Sequence, residues 1–170
     1  MGGPPGRAEG GRRYIPIGFL SPKQIASGSA LIIPDAGVFD FGILSSAMHN
    51  AWIRCVAGRM KSDPQYSNGI VYNNFPWPEE VSDKNRQAVE RAAQAVLEAR
   101  DDHPDSTPAD LYDPLAMPAQ LSKAHGALDK AVDRCYRQSP FRSDRERVEF
   151  LFVMYERLTT GAGRDCECAT

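Results

Sequence analysis

Two prolines on either side of a tryptophan, at residues 76–78, constrain this chain more than any other feature of its sequence. Proline has no amide hydrogen to give to a ladder. The Phe75-Pro76-Trp77-Pro78 run therefore cannot continue a sheet and must turn the chain. The character of the sequence changes across that turn. Before it, residues 13–20 and 29–34 are short apolar runs bounded by Ser, Pro, Gly and Asp, the punctuation of strands, and residues 38–40 could add a third. Residues 41–59 then repeat Ile43, Leu44, Ala47, Met48, Ala51, Trp52, Cys55 and Val56 at intervals of three and four, which predicts one long helix stopped at Gly58. Polar residues with Pro64 and Gly69 follow as an exposed loop or ribbon, and residues 70–78 return to strand character.

After the turn the pattern is helical throughout. Ser82 can cap a helix running to about Arg100 on Val89, Ala92, Ala93, Val96 and Leu97. Residues 101–108 break it, and Pro114 and Pro118 bracket a turn. A second helix then places Leu121, Ala124, His125, Leu128, Ala131, Val132, Cys135 and Tyr136 on one stripe. A last one starts at Ser143 with Val148, Leu151, Phe152, Tyr155 and Leu158 inward. Phe150, Val153 and Met154 widen its apolar surface enough to require burial or a partner. The expected fold is α+β: a small mixed sheet with one long helix, then a C-terminal helical block. Residues 1–12 read as a disordered lead-in, 13–80 as a first domain, 81–160 as a helical domain and 161–170 as a flexible tail.

Several kinds of chemistry find no support. Neither a Gly-rich phosphate loop, an HExxH pair, a nucleophile elbow nor a Pro-Pro-aromatic tetrad occurs. The four cysteines, at 55, 135, 166 and 168, form no CxxC pair, which disfavours a disulfide framework or a zinc site and suits a reducing cytoplasm. His49 lies on the first helix and His125 on the apolar stripe of another, where a satisfied core or boundary histidine outweighs a catalytic base. His103, among Asp101, Asp102 and Asp105, reads as a solvated charge run. No apolar run is long enough for a membrane span. With a formal net charge of -2, any nucleic-acid contact must come from a local patch.

One such patch exists. Arg54, Arg59 and Lys61 supply positive charge, and Asp63, Gln65, Tyr66, Ser67, Asn73 and Asn74 follow. Arginine and lysine neutralise phosphates or donate to guanine, aspartate accepts from the cytosine amino group, and glutamine or asparagine pairs with adenine. Lys61, Asp63 and Gln65 alternate, so on an extended ribbon they would share one face, and a ribbon fits the major groove. The competing reading is a polar surface loop that touches nothing. Phe75 and Trp77 likewise allow two readings: an aromatic clasp joining the two blocks, which is favoured, or a platform for base stacking.

The stretch from Phe41 to Glu80 resembles the segment near the C-terminus of the MmeI-like (Type IIL) single-chain adenine DNA methyltransferases and restriction-modification enzymes. Its most specific parts are residues 41–46 with Met48-His49, residues 58–63, Tyr66-Ser67 and residues 72–78. The resemblance implies the end of a target-recognition domain up to Pro78, followed by a C-terminal helical domain. It also implies that S-adenosylmethionine binding and methyl transfer, and any fused nuclease, belong to an upstream part of a parent protein. This chain is then expected to hold no cofactor, to catalyse nothing alone, and to act as a sequence-specific duplex DNA recognition module. Its partners would be double-stranded DNA and the upstream methyltransferase domain, with a homodimer left open. An alternative is a docking or dimerisation module with little direct DNA contact.

Overall fold

The structure, a computed structural model, describes residues 2–3, 12–20, 23, 31–60 and 63–162. The described residues are mostly helical, and the expected mixed sheet is not found among them. Among the described residues the only strands are two antiparallel pairs. β1 (Gly2–Gly3) lies against β2 (Leu31–Ile32), and β3 (Gly58–Met60) against β4 (Asp63–Gln65). Residues 13–20 contribute only an isolated bridge at Gly18. This segment is extended because it serves as a strap: Tyr14 is buried, and the Ile15 amide donates to Asn50 Oδ1 at 3.0 Å.

The helix expected over 41–59 begins earlier and is broken. α1 (Val38–Ser45) takes in the three residues read as a strand, and α2 (Ala47–Val56) follows after Ser46. Asp40, three residues into α1, accepts from the Gly37 amide at 2.8 Å and so stabilises the helix start. Ser46 is extended (φ -80°, ψ 164°), and its hydroxyl donates to the Ile43 carbonyl at 2.6 Å. Asn50 Nδ2 donates to the Ser46 carbonyl at 2.8 Å, fixing the start of α2. Residues 70–72, read as the start of a strand, belong instead to a π-helix (Asn68–Tyr72) that also takes in the end of the polar loop.

The second half follows its periodicity. α3 (Asp83–Asp101) is capped by Ser82, whose hydroxyl accepts from the Asn85 amide. α4 (Pro108–Leu111), a short helix absent from the sequence reading, is closed by a Thr107/Asp110 capping box with Pro108 as its first residue. α5 (Ala119–Tyr136) and α6 (Asp144–Ala162) complete the chain. α3 and α5 run antiparallel: Asn85 Nδ2 donates to the Arg134 carbonyl and Gln120 Nε2 to Asp102 at the other end. α1 packs on α3, and α2 packs on α6. The core forms where α1 is wrapped, with Phe41, Ile43, Leu44, Met48, Trp52, Val89, Val96, Leu121, Leu128 and Leu151 buried.

Gly42 makes the α1–α3 approach possible. A Cβ at that position would sit 2.7 Å from Val89 Cγ1 and 3.2 Å from Ala93 Cβ. Valine in a helix keeps essentially one rotamer and cannot swing aside. Overpacking of this kind costs about 1–3 kcal/mol, against about 1 kcal/mol gained by removing a helical glycine. Gly42→Ala is therefore expected to lower thermal stability. Gly126→Ala in α5, where nothing lies within 4 Å, is expected to raise it. Melting curves of the two variants check this, and a rise for Gly42→Ala would contradict it.

Candidate nucleic-acid interface

The polar stretch after α2 is a ribbon. β3 and β4 pair with Gly58 opposite Gln65, Arg59 opposite Pro64 and Met60 opposite Asp63. Asp63 and Gln65 therefore hold alternate register positions of one strand. Of Arg59, Asp63 and Gln65 the structure describes the backbone, and Lys61 lies outside the described residues. Pro64, at the centre of β4, is tolerated because a two-stranded ribbon has a free edge on each side.

The residues that follow the ribbon hold it rather than extend it. Tyr66 is half-buried, and its hydroxyl lies 3.1 Å from His49 Nε2 on α2. Burial pushes the Tyr66 phenol up and His49 down to about 3, so both are neutral and share one hydrogen bond. His49 also meets Phe75 edge-on, with ring centroids 4.5 Å apart. Ser67 caps the π-helix: its hydroxyl accepts from the Ile70 amide at 3.1 Å. Asn74 Nδ2 donates to the carbonyls of Gly69 (2.7 Å) and Ile70 (3.1 Å), closing that turn. Trp52 Nε1 donates to the Val71 carbonyl at 3.0 Å, tying the π-helix to α2. Asn73 is exposed.

Arg54 is drawn away from the ribbon. Its guanidinium donates to Asp144 on α6 at 3.1 Å and to the carbonyl of Arg13. The polar stretch thus separates into a ribbon (59–65) and a scaffold made of Arg54, Tyr66, Ser67 and Asn74. Sequence reasoning missed Ile70, which is exposed at the tip of the π-helix beside Asn73. It was hidden by the strand assignment, in which alternate residues would have been buried. The Phe75-Pro76-Trp77-Pro78 turn was expected to clasp the two blocks through its rings; the rings pack within the first block, and the link to the second is made by the backbone of Pro76. Phe75 and Pro76 are buried, Trp77 packs partly buried against Phe75 and Tyr72, and Tyr136 of α5 donates to the Pro76 carbonyl at 3.0 Å.

Among the described residues no group of three His, Cys, Asp or Glu is placed to hold a metal ion. Nor is any helix there long and apolar enough to cross a membrane.

Residues 5–79 match the family model of the MmeI target recognition domain, and residues 81–162 match that of the MmeI C-terminal domain. The chain belongs to the MmeI family. A solved structure of the Type IIL restriction-modification enzyme MmeI in complex with DNA superposes with a TM-score of 0.83 at 45% identity, covering 88% of this chain and 20% of that one. DNA methyltransferase A of Bacillus subtilis (strain 168) is 43% identical over 148 residues, which are 87% of this chain and 17% of the relative. The chain therefore spans about a fifth of the length of these MmeI relatives. The ribbon, the π-helix and the aromatic turn all lie within the match to the target recognition domain. α3 to α6 make up the match to the C-terminal domain.

Proposed function

We infer that this segment reads base sequence on duplex DNA for a longer, S-adenosylmethionine-dependent adenine methyltransferase of the restriction-modification type. The observation that carries the reading is the β3–β4 ribbon, a two-stranded element of the size the major groove admits, with Arg59 on β3 and Asp63 and Gln65 on β4. Asn73 follows at the exposed end of the π-helix, a turn that Ser67 and Asn74 hold. A rigid base supports the ribbon through His49–Tyr66 and Trp52–Val71, as base readout requires. In this reading Arg54 and Tyr66 act by positioning the ribbon. The relative solved with DNA adds support from the same family. Cofactor binding and methyl transfer fall to the part of the parent protein upstream of this segment, in a cytoplasmic enzyme. A docking role is favoured by one observation alone: Phe152, Val153 and Leu158 are exposed on α6, which suits a surface closed by the methyltransferase domain or by a second copy.

Lysine donates and aspartate accepts, so Lys61 and Asp63 can address both halves of one G·C pair, Lys61 on guanine and Asp63 on the cytosine amino group. In the full-length enzyme, Lys61→Glu combined with Asp63→Arg is expected to invert the preferred base pair at one position of the methylated site. Arg59→Ala should weaken binding to all sequences alike. One bidentate contact is worth about 1–3 kcal/mol of discrimination, so the inversion amounts to about tenfold or more in methylation preference. Sequencing the methylated sites of the double variant decides it. An unchanged motif at full activity would show that these residues pair with each other on the surface and read nothing.

A further inference from the structure

The solvent face of α5 is uniformly cationic. Its acidic residues, Asp129 and Asp133, are both turned inward and engaged. Asp133 takes a two-pronged ion pair from Arg147 (3.0 and 2.7 Å), and Asp129 accepts from the Tyr14 hydroxyl and the Ala47 amide. Opposite them, Lys123, Ala127, Lys130 and Arg134 fall on a single stripe, since steps of four, three and four residues return to the same side of a helix. All four are exposed. Ala119, Ser122 and Ala127 are the small exposed residues between and beside the cations, so nothing bulky shields them.

The charge arrangement is unfavourable for an isolated helix. Lys130 and Arg134 are a like-charged i,i+4 pair, and the acid that could have relieved them, Asp133, is held by Arg147. Among the described residues none of the three cations has an ion pair. On the α3 flank, Asp102 is bonded by Gln120 at 2.9 Å, one turn before Lys123. The stripe spans about 16 Å at the helical rise of about 1.5 Å per residue, long enough to meet several successive phosphates of one strand. The C-terminal end of α5 is anchored beside the aromatic turn that follows the ribbon, through Tyr136 and Pro76.

We propose that the Lys123–Lys130–Arg134 face of α5 is a second, sequence-independent DNA contact that grips the phosphate backbone outside the bases read by the ribbon. This rests on the reading of the chain as a DNA-recognition segment. The ribbon carries specificity, and the stripe supplies the affinity that a chain of net charge -2 lacks overall. Each phosphate neutralised steepens the dependence of log K on log salt by about 0.9.

The test is the salt dependence of duplex binding, by fluorescence anisotropy, for the chain and for Lys123→Gln/Lys130→Gln/Arg134→Gln. The variant is expected to flatten the slope by about 2.7 and to weaken binding tenfold or more at physiological salt, while the order of preference among duplex sequences stays the same. All three side chains are exposed, so the circular dichroism melt should not move. A control with the same loss of charge elsewhere, Lys84→Gln/Arg91→Gln/Arg157→Gln, should leave the slope nearly intact. Equal flattening in the control would overturn the proposal by showing a general charge effect. An unchanged slope with binding intact would also overturn it, leave the ribbon reading standing, and assign the stripe to an acidic protein surface. If the unsubstituted chain shows no salt-dependent binding at all, the DNA reading itself falls and the proposal with it.

Discussion

Between pH 6.5 and pH 4 the fold is expected to lose about 5 kcal/mol of stability, on the order of the whole margin of a domain this size. The cause is a pair of buried histidines. His49 and His125 are fully buried, and desolvation lowers each from 6.5 to about 3. For His125 the charges of Arg100 and Arg13 contribute to that lowering beside desolvation. For a base whose folded value is depressed, the folded state resists taking up a proton that the unfolded chain accepts. Stability is therefore full above 6.5 and is lost as pH falls toward 3. Each pH unit in that window costs about 1.4 kcal/mol per histidine, or less where the site opens to water. Asp129 acts with the opposite sign. Burial raises its carboxyl, so acidification recovers part of what ionisation cost there. Two histidines against one carboxyl leave a net loss. Urea midpoints measured from pH 7.5 to 4 should fall steeply below 6.5, and His49→Gln/His125→Gln should flatten the curve even if it starts lower. A midpoint independent of pH over that range would show that the imidazoles reach water.

His125 was legible as a core residue from its place on a helical stripe, whereas His49 was legible only as a helical residue, outside the apolar spacing of its helix. What the sequence could not show was their partners, Tyr66 at a separation of 17 residues and Tyr112 at 13, because hydrogen bonds across elements leave no periodic trace. The helices of the second half were legible for the converse reason. α3 and α5 each bury one face against the other, so their apolar spacing records the packing directly.

The first half failed where both faces are buried. α1 buries Phe39, Phe41, Gly42, Ile43, Leu44 and Ser45, and a helix covered on all sides shows no 3.6-residue stripe to separate it from a strand. The decisive mark was local, Asp40 three residues after Gly37. The break at Ser46 was hidden because the apolar spacing continues across it, and only the serine's bond to Ile43 ends the first helix. The ribbon was legible as a polar segment between α2 and the aromatic turn, one of the two forms, loop or ribbon, that its composition allows. The division of its neighbours into ribbon and scaffold was not, since Tyr66, Ser67 and Asn74 have the same composition as residues that bind DNA.

Asp129→Ala is expected to destabilise the chain by about 3–5 kcal/mol, although its one ion pair is weak. The Arg13 guanidinium approaches Asp129 at 3.8 Å and is 72% exposed, so that pair contributes under about 1 kcal/mol. The larger part comes from two buried donors, the Tyr14 hydroxyl and the Ala47 amide, each 2.7 Å from a carboxylate oxygen. Ala47 is the first residue of α2, so Asp129 caps that helix from α5, 82 residues away, and places negative charge at its positive end. Alanine leaves both donors unpaired in the core. Asparagine keeps the shape but turns an amide hydrogen toward one of them and should lose an intermediate amount. Arg13→Ala should cost less than either, and chemical denaturation of the three variants gives the order. Equal losses for Arg13→Ala and Asp129→Ala would place the energy in the ion pair instead. The consequence extends to the ribbon. α2 runs from the Asp129 cap through His49, which holds Tyr66, to β3 at Gly58, so loosening its first turn frees the element that presents Arg59, Asp63 and Gln65. Under conditions where Asp129→Asn remains folded, discrimination between duplex sequences should therefore decline before backbone affinity does.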